Sequence, residues 1–256
     1  MNEKPILFST EMVKAILDGR KTQTRRVIHH AGGDCLGYIT DRDAYWFELD
    51  LRTAANGPET SIEAKCPYGR PGDLLWVRET WKSEAFYDNK KPSDIPYCAN
   101  LLWVADEEIR INNVGRPFGK IRQSIFMPRW ASRITIRVLN VRVERVQDIT
   151  IDDARKEGCS YVTYGGYDFD IFGENGDYAR HPYIMNFRRL WNSINLDPKP
   201  IYSNKEIVAY ESYPWSVEDF DGRYLDTREG GMYKGLPITV FGNPWVWVID
   251  FEEVDA

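Results

Sequence analysis

The chain has 256 residues, of which 43% are hydrophobic and 14% aromatic, and its formal net charge is −6. This composition excludes general disorder, and the acidic balance argues against indiscriminate binding to a polyanion. No apolar run approaches the ~20 residues that span a bilayer, and the first residues lack the apolar segment of a signal peptide. These features predict a cytoplasmic protein without a membrane partner.

Cysteine and histidine usage predicts neither a disulfide framework nor a metal centre. The four cysteines are scattered and form no CxxC pair, as expected of a reduced protein. His29, His30, Cys35 and Cys66 could be imagined around a metal, but their spacing fits no standard site. We therefore expect no metal and no cofactor, and the sequence leaves the oligomeric state open.

The chain begins with a pattern that predicts strand, helix and strand. Residues 4–8 form the first strand, and Ser9 or Thr10 caps the helix that follows, because a hydroxyl there accepts a hydrogen bond from a free backbone amide. Gly19 permits the left-handed exit from this helix, and residues 22–28 are extended. The apolar residues of the helix fall on one face: Met12, Val13, Ile16 and Leu17.

Three later segments are predicted strands. Pro71-Gly72-Asp73 is a turn that leads into a strand over residues 74–81. Another strand starts near Ser132, and its alternation changes phase at Leu139-Asn140, which indicates a bulge. The closing strand starts at Trp245, after Asn243-Pro244.

Two further helices are predicted, one from Thr150 to a stop at Gly158 and one from Tyr183 to Ile194. The apolar side of the second contains Ile184, Phe187, Leu190, Trp191 and Ile194. Three stretches, at about 82–124, 160–182 and 197–242, show no clear helical or strand periodicity of apolar residues. We interpret them as insertions. We expect one decorated α+β domain over residues 1–256, built on a small, curved, mostly antiparallel β-barrel with short flanking helices.

The segment Gly19-Arg20-Lys21-Thr22-Gln23-Thr24-Arg25-Arg26 carries the strongest functional signal. A helix-ending glycine is followed by two cations, then by hydroxyl side chains, then by two more cations. The segment therefore offers hydrogen-bond donors, a base and a nucleophile within one short turn.

This segment resembles the signature of the ASCH domain family, whose members have a PUA-like β-barrel. The segments Cys66-Pro67-Tyr68-Gly69 through Trp81, residues 126–133 and Asn243-Pro244-Trp245 are similar to those of phage and prophage ASCH proteins. The resemblance covers less than half of the chain. It implies a cleft beside the signature for a modified nucleoside or a single-stranded nucleic acid, in the host cytoplasm if the protein is phage-encoded.

A bacterial subgroup of this family hydrolyses the amide of N4-acetylcytidine with a lysine, a threonine and a glutamate. The resemblance assigns these catalytic roles to Lys21, Thr24 and Glu157, and it matches Arg26 to the family arginine. The usual family acid is replaced here by Thr24, as in that subgroup. The long insertions depart from the small hydrolases and leave the substrate open.

Amide hydrolysis explains why those residue types belong together. A threonine hydroxyl attacks only when a base takes its proton, and a lysine acts as that base only when it is neutral. Thr24 is then the nucleophile and Lys21 the base, while Glu157 orients or protonates the substrate amine. In a straight strand Lys21 and Thr24 face opposite sides, so this role requires a bend between them.

Several further residues are candidates for substrate or nucleic-acid binding: Arg20, Arg25, Arg26, Arg78, Glu79, Trp81, Arg129 and Trp130. Arg129 can contact a phosphate and Trp130 can stack on a base, although both also suit a structural corner. Arg78 and Glu79 can line a pocket or pair with each other.

Two other functions compete with the hydrolase. Between Arg110 and Arg145 there are nine Lys or Arg residues against one acid, which suits a module that reads a base in RNA or DNA, with or without nuclease activity. These arginines are equally well explained as the solvated side of a strand. The third hypothesis is an inert phage protein whose insertions bind a host protein.

Overall fold

A computed structural model describes residues 3–28, 36–38, 46–51, 60–106, 117–161, 181–221 and 231–254. Within these ranges the protein is an α+β fold rich in strands. Its strands are β1 (Glu3–Leu7), β2 (Gln23–Val27), β3 (Leu36–Tyr38), β4 (Trp46–Leu51), β5 (Thr60–Lys65), β6 (Leu74–Arg78), β7 (Trp81–Ser83), β8 (Leu101–Trp103), β9 (Thr135–Arg145), β10 (Lys199–Ser203), β11 (Glu206–Ser212), β12 (Met232–Tyr233), β13 (Leu236–Val240) and β14 (Trp245–Val254).

The helices are short. The α-helices are α1 (Thr10–Leu17), α2 (Ile151–Lys156), α3 (Pro182–Asn195) and α4 (Val217–Asp221). Single 3-10 turns occur at Ala85–Tyr87, Pro92–Asp94, Val104–Asp106, Ser124–Phe126, Arg129–Ala131 and Val146–Asp148.

The largest sheet has five strands in the order β1-β6-β9-β14-β2. Strand β1 pairs with β6 in parallel, and β6 pairs with β9 antiparallel. A closed barrel needs partners on both sides of every strand. Among the described strands β1 and β2 stand at the two ends of the order, so this sheet is open where the sequence predicted a barrel.

The remaining strands form three smaller sheets, in the orders β10-β11-β13-β12, β3-β4-β5 and β7-β8. The first of these occupies the stretch 197–242, for which the sequence pattern predicted no regular elements. Strand β10 pairs antiparallel with β11 and has a register shift between Ile201 and Tyr202. A register shift interrupts the period-2 pattern on which strand prediction depends.

The chain divides into two compact units. Unit 1 comprises Met1–Thr22, Cys66–Val141 and Ile249–Ala256, and unit 2 comprises Gln23–Lys65 and Arg142–Val248. One apolar cluster of unit 1 is built on Trp81, Ile95, Met127 and Ala131. Unit 2 packs α2 and α3 around Val246 and Val248, and a second cluster of unit 2 contains Leu196, Tyr210, Phe220 and Ile238.

Capping residues set the helix ends as predicted. Ser9 Oγ accepts a hydrogen bond from the amide of Met12 at 3.4 Å, and Thr150 Oγ1 accepts one from the amide of Asp153 at 3.1 Å. The chain leaves α1 through Gly19 with φ +70° and leaves α2 through Gly158 with φ +88°. These positive φ angles are the left-handed conformations that favour glycine.

Burial confirms most of the predicted apolar faces. In β9 the buried residues change phase across Leu139 and Asn140, which are both exposed between Val138 and Val141. Helix α3 buries Ile184, Phe187 and Trp191. Ile194 does not follow this face and is 41% exposed, since it lies in the last turn of the helix.

Candidate active site

Strand β2 carries a buried arginine that joins three carboxylates. Arg25 donates from Nη2 to Glu144 Oε2 at 3.0 Å and to Asp153 Oδ2 at 3.3 Å. Its Nη1 donates to Glu157 Oε1 at 3.3 Å. The side chain of Arg25 is entirely inaccessible to solvent, and Glu157 is 3% exposed. These contacts lie within unit 2 and bring two predicted site residues, Arg25 and Glu157, together.

Gln23 completes this group from the same strand. Its Oε1 accepts a hydrogen bond from Arg25 Nη1 at 2.5 Å, and its Nε2 donates to Asp153 Oδ1 at 3.1 Å. Side chains two residues apart share a face of a strand, which lets Gln23 and Arg25 reach the same helix. We call Gln23, Arg25, Arg142, Glu144, Asp153 and Glu157 the Arg25 cluster.

Helix α2 brings the carboxylates of Asp153 and Glu157 to strand β2. The two residues are four positions apart, which places them on one face. The Thr150 cap starts the helix so that Asp153 lies in its first turn and Glu157 at its C-cap. The cap thereby sets which carboxylates face Arg25.

Arg142 closes the cluster on its more exposed side. It donates from Nε to Glu144 Oε1 at 2.5 Å and from Nη2 to Asp153 Oδ1 at 3.3 Å. Burial raises the pKa of Asp153, but the hydrogen bond from Gln23 and the positive charges of Arg25 and Arg142 outweigh it and hold the pKa below its usual value. Asp153 is therefore a structural anion at neutral pH.

Lys21 and Thr24 are both removed from solvent. Lys21 belongs to unit 1, is 2% exposed, and holds its Nζ 5.6 Å from the ring centroid of Phe8. Thr24 lies in β2 of unit 2 and is 1% exposed. At these exposures Lys21 is not a solvated turn lysine, and Glu157, at 3%, is not a surface acid.

The geometry of β2 limits how Thr24 can meet a substrate. In a regular strand Thr24 faces the side opposite to Gln23 and Arg25. Strand β2 is an end strand of its sheet in the described part of the chain. The outer edge of an end strand is covered by no other described strand of its sheet, which leaves backbone groups there for other contacts.

The other arginines of the signature have different surroundings. Arg20 is exposed and pairs locally with Asp18 through Nη2 at 2.8 Å. Arg26 is half-buried in unit 2. Burial and the charge of Arg26 lower the pKa of Lys199, against the opposing effect of Glu211.

The candidates after strand β6 form a separate group in unit 1. Glu79 does not pair with Arg78; its carboxylate accepts hydrogen bonds from Arg133 at 2.9 and 3.2 Å. Arg133 also donates to Asp106 at 2.7 and 3.0 Å. Burial raises the pKa of Glu79, although the hydrogen bonds and charge of Arg133 oppose it. The Arg78 guanidinium lies 4.6 Å from the ring centroid of Trp76.

Trp81, Trp130 and Arg129 all lie in unit 1. Trp81 is wholly buried and meets Trp130 edge to face at 6.4 Å between ring centroids. Arg129 pairs with Glu3 through Nη2 at 2.6 Å, and this contact holds the pKa of Glu3 below its usual value although burial opposes it.

Several arginines of the basic stretch from 110 to 145 make contacts within the protein. Arg110 and Arg116 lie outside the described residues. Six of the described arginines have internal partners: Arg122, Arg129, Arg133, Arg137, Arg142 and Arg145. Arg122, for example, donates to the backbone carbonyls of Tyr87 and Lys90. Four of the six, Arg129, Arg133, Arg137 and Arg142, pair with carboxylates, which weakens the electrostatic basis for a nucleic-acid face.

Sequence reasoning missed Gln23, Glu144 and Asp153. The signal for Asp153 was present, since it precedes Glu157 by one helical turn on the same predicted helix. Nothing in the sequence pointed to Glu144, whose partner Arg25 is 119 residues away.

A scan against protein-family models and searches of curated proteins and of solved structures found no match to this chain. Among the described residues there is no cluster of His, Cys, Asp and Glu that could hold a metal ion. His29, His30 and Cys35 lie outside those residues. No helix in the described ranges is long and apolar enough to cross a membrane.

Proposed function

We propose that the protein is an ASCH-type hydrolase with a PUA-like core, which removes the acyl group from an N4-acylated cytidine or a similar base. The observation that carries the proposal is the burial of all three groups that the reaction needs. Lys21, Thr24 and Glu157 are 2%, 1% and 3% exposed. Reactive polar side chains are rarely buried without a structural or catalytic reason.

In the first half of the proposed reaction Thr24 Oγ attacks the acyl carbon while the neutral amine of Lys21 takes the hydroxyl proton. Burial favours the neutral form of a lysine. Arginine or backbone N–H groups stabilise the oxyanion. The C–N bond then breaks, its electron pair goes to N4, and N4 receives the proton from Lys21. Cytidine leaves, and the acyl group remains as an ester of Thr24.

In the second half water attacks this ester and Lys21 takes a proton from the water. The bond between the acyl carbon and Thr24 Oγ breaks, and Lys21 returns the proton to the threonine oxygen. The carboxylic acid leaves and the enzyme is regenerated. In the first half Glu157 orients the substrate amine, or relays to N4 the proton that Lys21 took from Thr24.

The test is to incubate the purified protein with N4-acetylcytidine and to follow cytidine release by chromatography. Thr24→Val keeps the shape of the side chain and removes the nucleophile, so we expect release to fall by at least about 10³-fold. Thr22 is exposed, and Thr22→Val is the matched control that should retain activity. Equal turnover by the two variants would refute the role of Thr24.

A further inference from the structure

Glu157 has two possible roles in the proposed reaction, to protonate the leaving amine or to orient it, and the contacts of the Arg25 cluster distinguish them. A group that protonates a leaving amine must carry a proton, whereas a group that orients the amine must accept a hydrogen bond. Glu157 Oε1 lies 3.3 Å from Arg25 Nη1, and both side chains are buried. In this contact Glu157 Oε1 already acts as a hydrogen-bond acceptor, which matches the orienting role.

We infer that Arg25 is a positioning residue that holds Glu157 as a hydrogen-bond acceptor for the N–H of the scissile amide. The inference rests on the proposed function and sharpens it. The substrate class becomes secondary N-acyl amides, whose nitrogen carries a hydrogen. Tertiary amides, which lack that hydrogen, are excluded.

Arg25 is itself held from several sides, which makes it suited to fixing another group. Gln23 Oε1 accepts from its Nη1, and Glu144 and Asp153 accept from its Nη2. The guanidinium carbon lies 5.8 Å from the ring centroid of Phe187. A planar guanidinium held at both terminal nitrogens, Nη1 and Nη2, keeps a fixed orientation toward Glu157.

The experiment compares N4-acetylcytidine with N4-acetyl-N4-methylcytidine, which lacks the N–H. A hydrogen bond to a charged group contributes about 10- to 100-fold, so we expect kcat/KM of the wild-type protein to be higher for the secondary amide by at least that factor. In Arg25→Met this preference should fall to less than about 3-fold. A merely structural arginine would lower both rates together and leave their ratio unchanged, which would overturn the inference.

Arg142→Met is the matched control, because Arg142 binds Glu144 and Asp153 in the same cluster. It should preserve the wild-type ratio. Should Arg25→Met fail to fold, Arg25→Lys keeps the charge but loses the fork geometry, and it should give an intermediate ratio. A wild-type ratio in Arg25→Lys would contradict the inference.

A binding measurement separates failure of the inference from failure of the proposed function. Isothermal titration of cytidine and of N4,N4-dimethylcytidine needs no turnover. We expect the wild-type protein to prefer cytidine about tenfold and Arg25→Met to lose that preference. If the protein hydrolyses N4-acetylcytidine but shows no preference for N–H compounds in binding or in rate, the inference is refuted and the proposed hydrolase activity is not. If the protein prefers cytidine in binding but hydrolyses nothing, the inference is supported and the hydrolase activity is refuted.

Discussion

Replacing Arg25 by an uncharged residue should destabilise the protein more than the same replacement of Arg142, the other arginine of the Arg25 cluster. Arg25→Met preserves the length and approximate volume of the side chain. It removes the Arg25 contacts of Glu144, Asp153 and Glu157, and Arg142 still binds the first two of these carboxylates.

The magnitude follows from burial. Breaking a buried ion pair by removing one partner costs about 3–5 kcal/mol, and total stabilities lie at about 5–15 kcal/mol. Arg25→Met should therefore remove roughly a fifth or more of the free energy of unfolding. The side chain of Arg142 is 29% exposed, so Arg142→Met should cost about 1 kcal/mol or less.

The assay is urea unfolding followed by tryptophan fluorescence at pH 7 and pH 3. The charge of Arg25 helps to hold the pKa of folded Asp153 below its ordinary value of 3.8, so the wild-type protein loses the corresponding stability as the pH falls below that value. Arg25→Met lacks this charge, so it has less of this stability to lose over the same range. The difference between them should shrink at pH 3. Equal costs for Arg25→Met and Arg142→Met, independent of pH, would refute this reasoning.

Three further outcomes are expected. Asp153 contributes stability that is present above its unfolded pKa and is lost as the pH falls through its lowered folded pKa. Asp153→Asn should therefore flatten the acid limb of the unfolding curve, and an unchanged limb would contradict this. Arg133→Met should lower the free energy of unfolding by about 3 kcal/mol, because the carboxylate partners of Arg133 are buried. Arg137→Met should lower it by less than about 0.5 kcal/mol, because Arg137 and its partner Glu252 are exposed. Calorimetry that finds Arg137→Met the more destabilised of the two would contradict this. Burial raises the pKa of Cys66 to about 11. Iodoacetamide at pH 8 should therefore alkylate the exposed Cys98 before Cys66. Mass spectrometry that finds Cys66 modified in the folded protein would be inconsistent with this.

Local signals predicted the elements that frame the site. The hydroxyls of Ser9 and Thr150 mark helix starts, because capping depends on residues within one turn. The phase change at Leu139-Asn140 is visible in the sequence because burial follows the period of a strand. These features are decided by neighbours in the chain.

The contacts inside the site could not be predicted from the sequence, because they join residues that are far apart in the chain. Arg25 was a predicted binding residue, but its three carboxylate partners lie 119 to 132 residues away. The pairing of Glu79 with Arg133 and not with Arg78 depends on how β6 and β9 align. Periodicity indicates which residues are buried and does not specify which buried charges meet.

The measurement that tests the account most directly is cytidine release from N4-acetylcytidine by the wild-type protein, Lys21→Met, Thr24→Val and Thr22→Val, run side by side. The account requires turnover by the wild-type protein and Thr22→Val, with losses of at least about 10³-fold in the other two. A folded wild-type protein that releases no cytidine, or a Thr24→Val variant as active as its control, would contradict it.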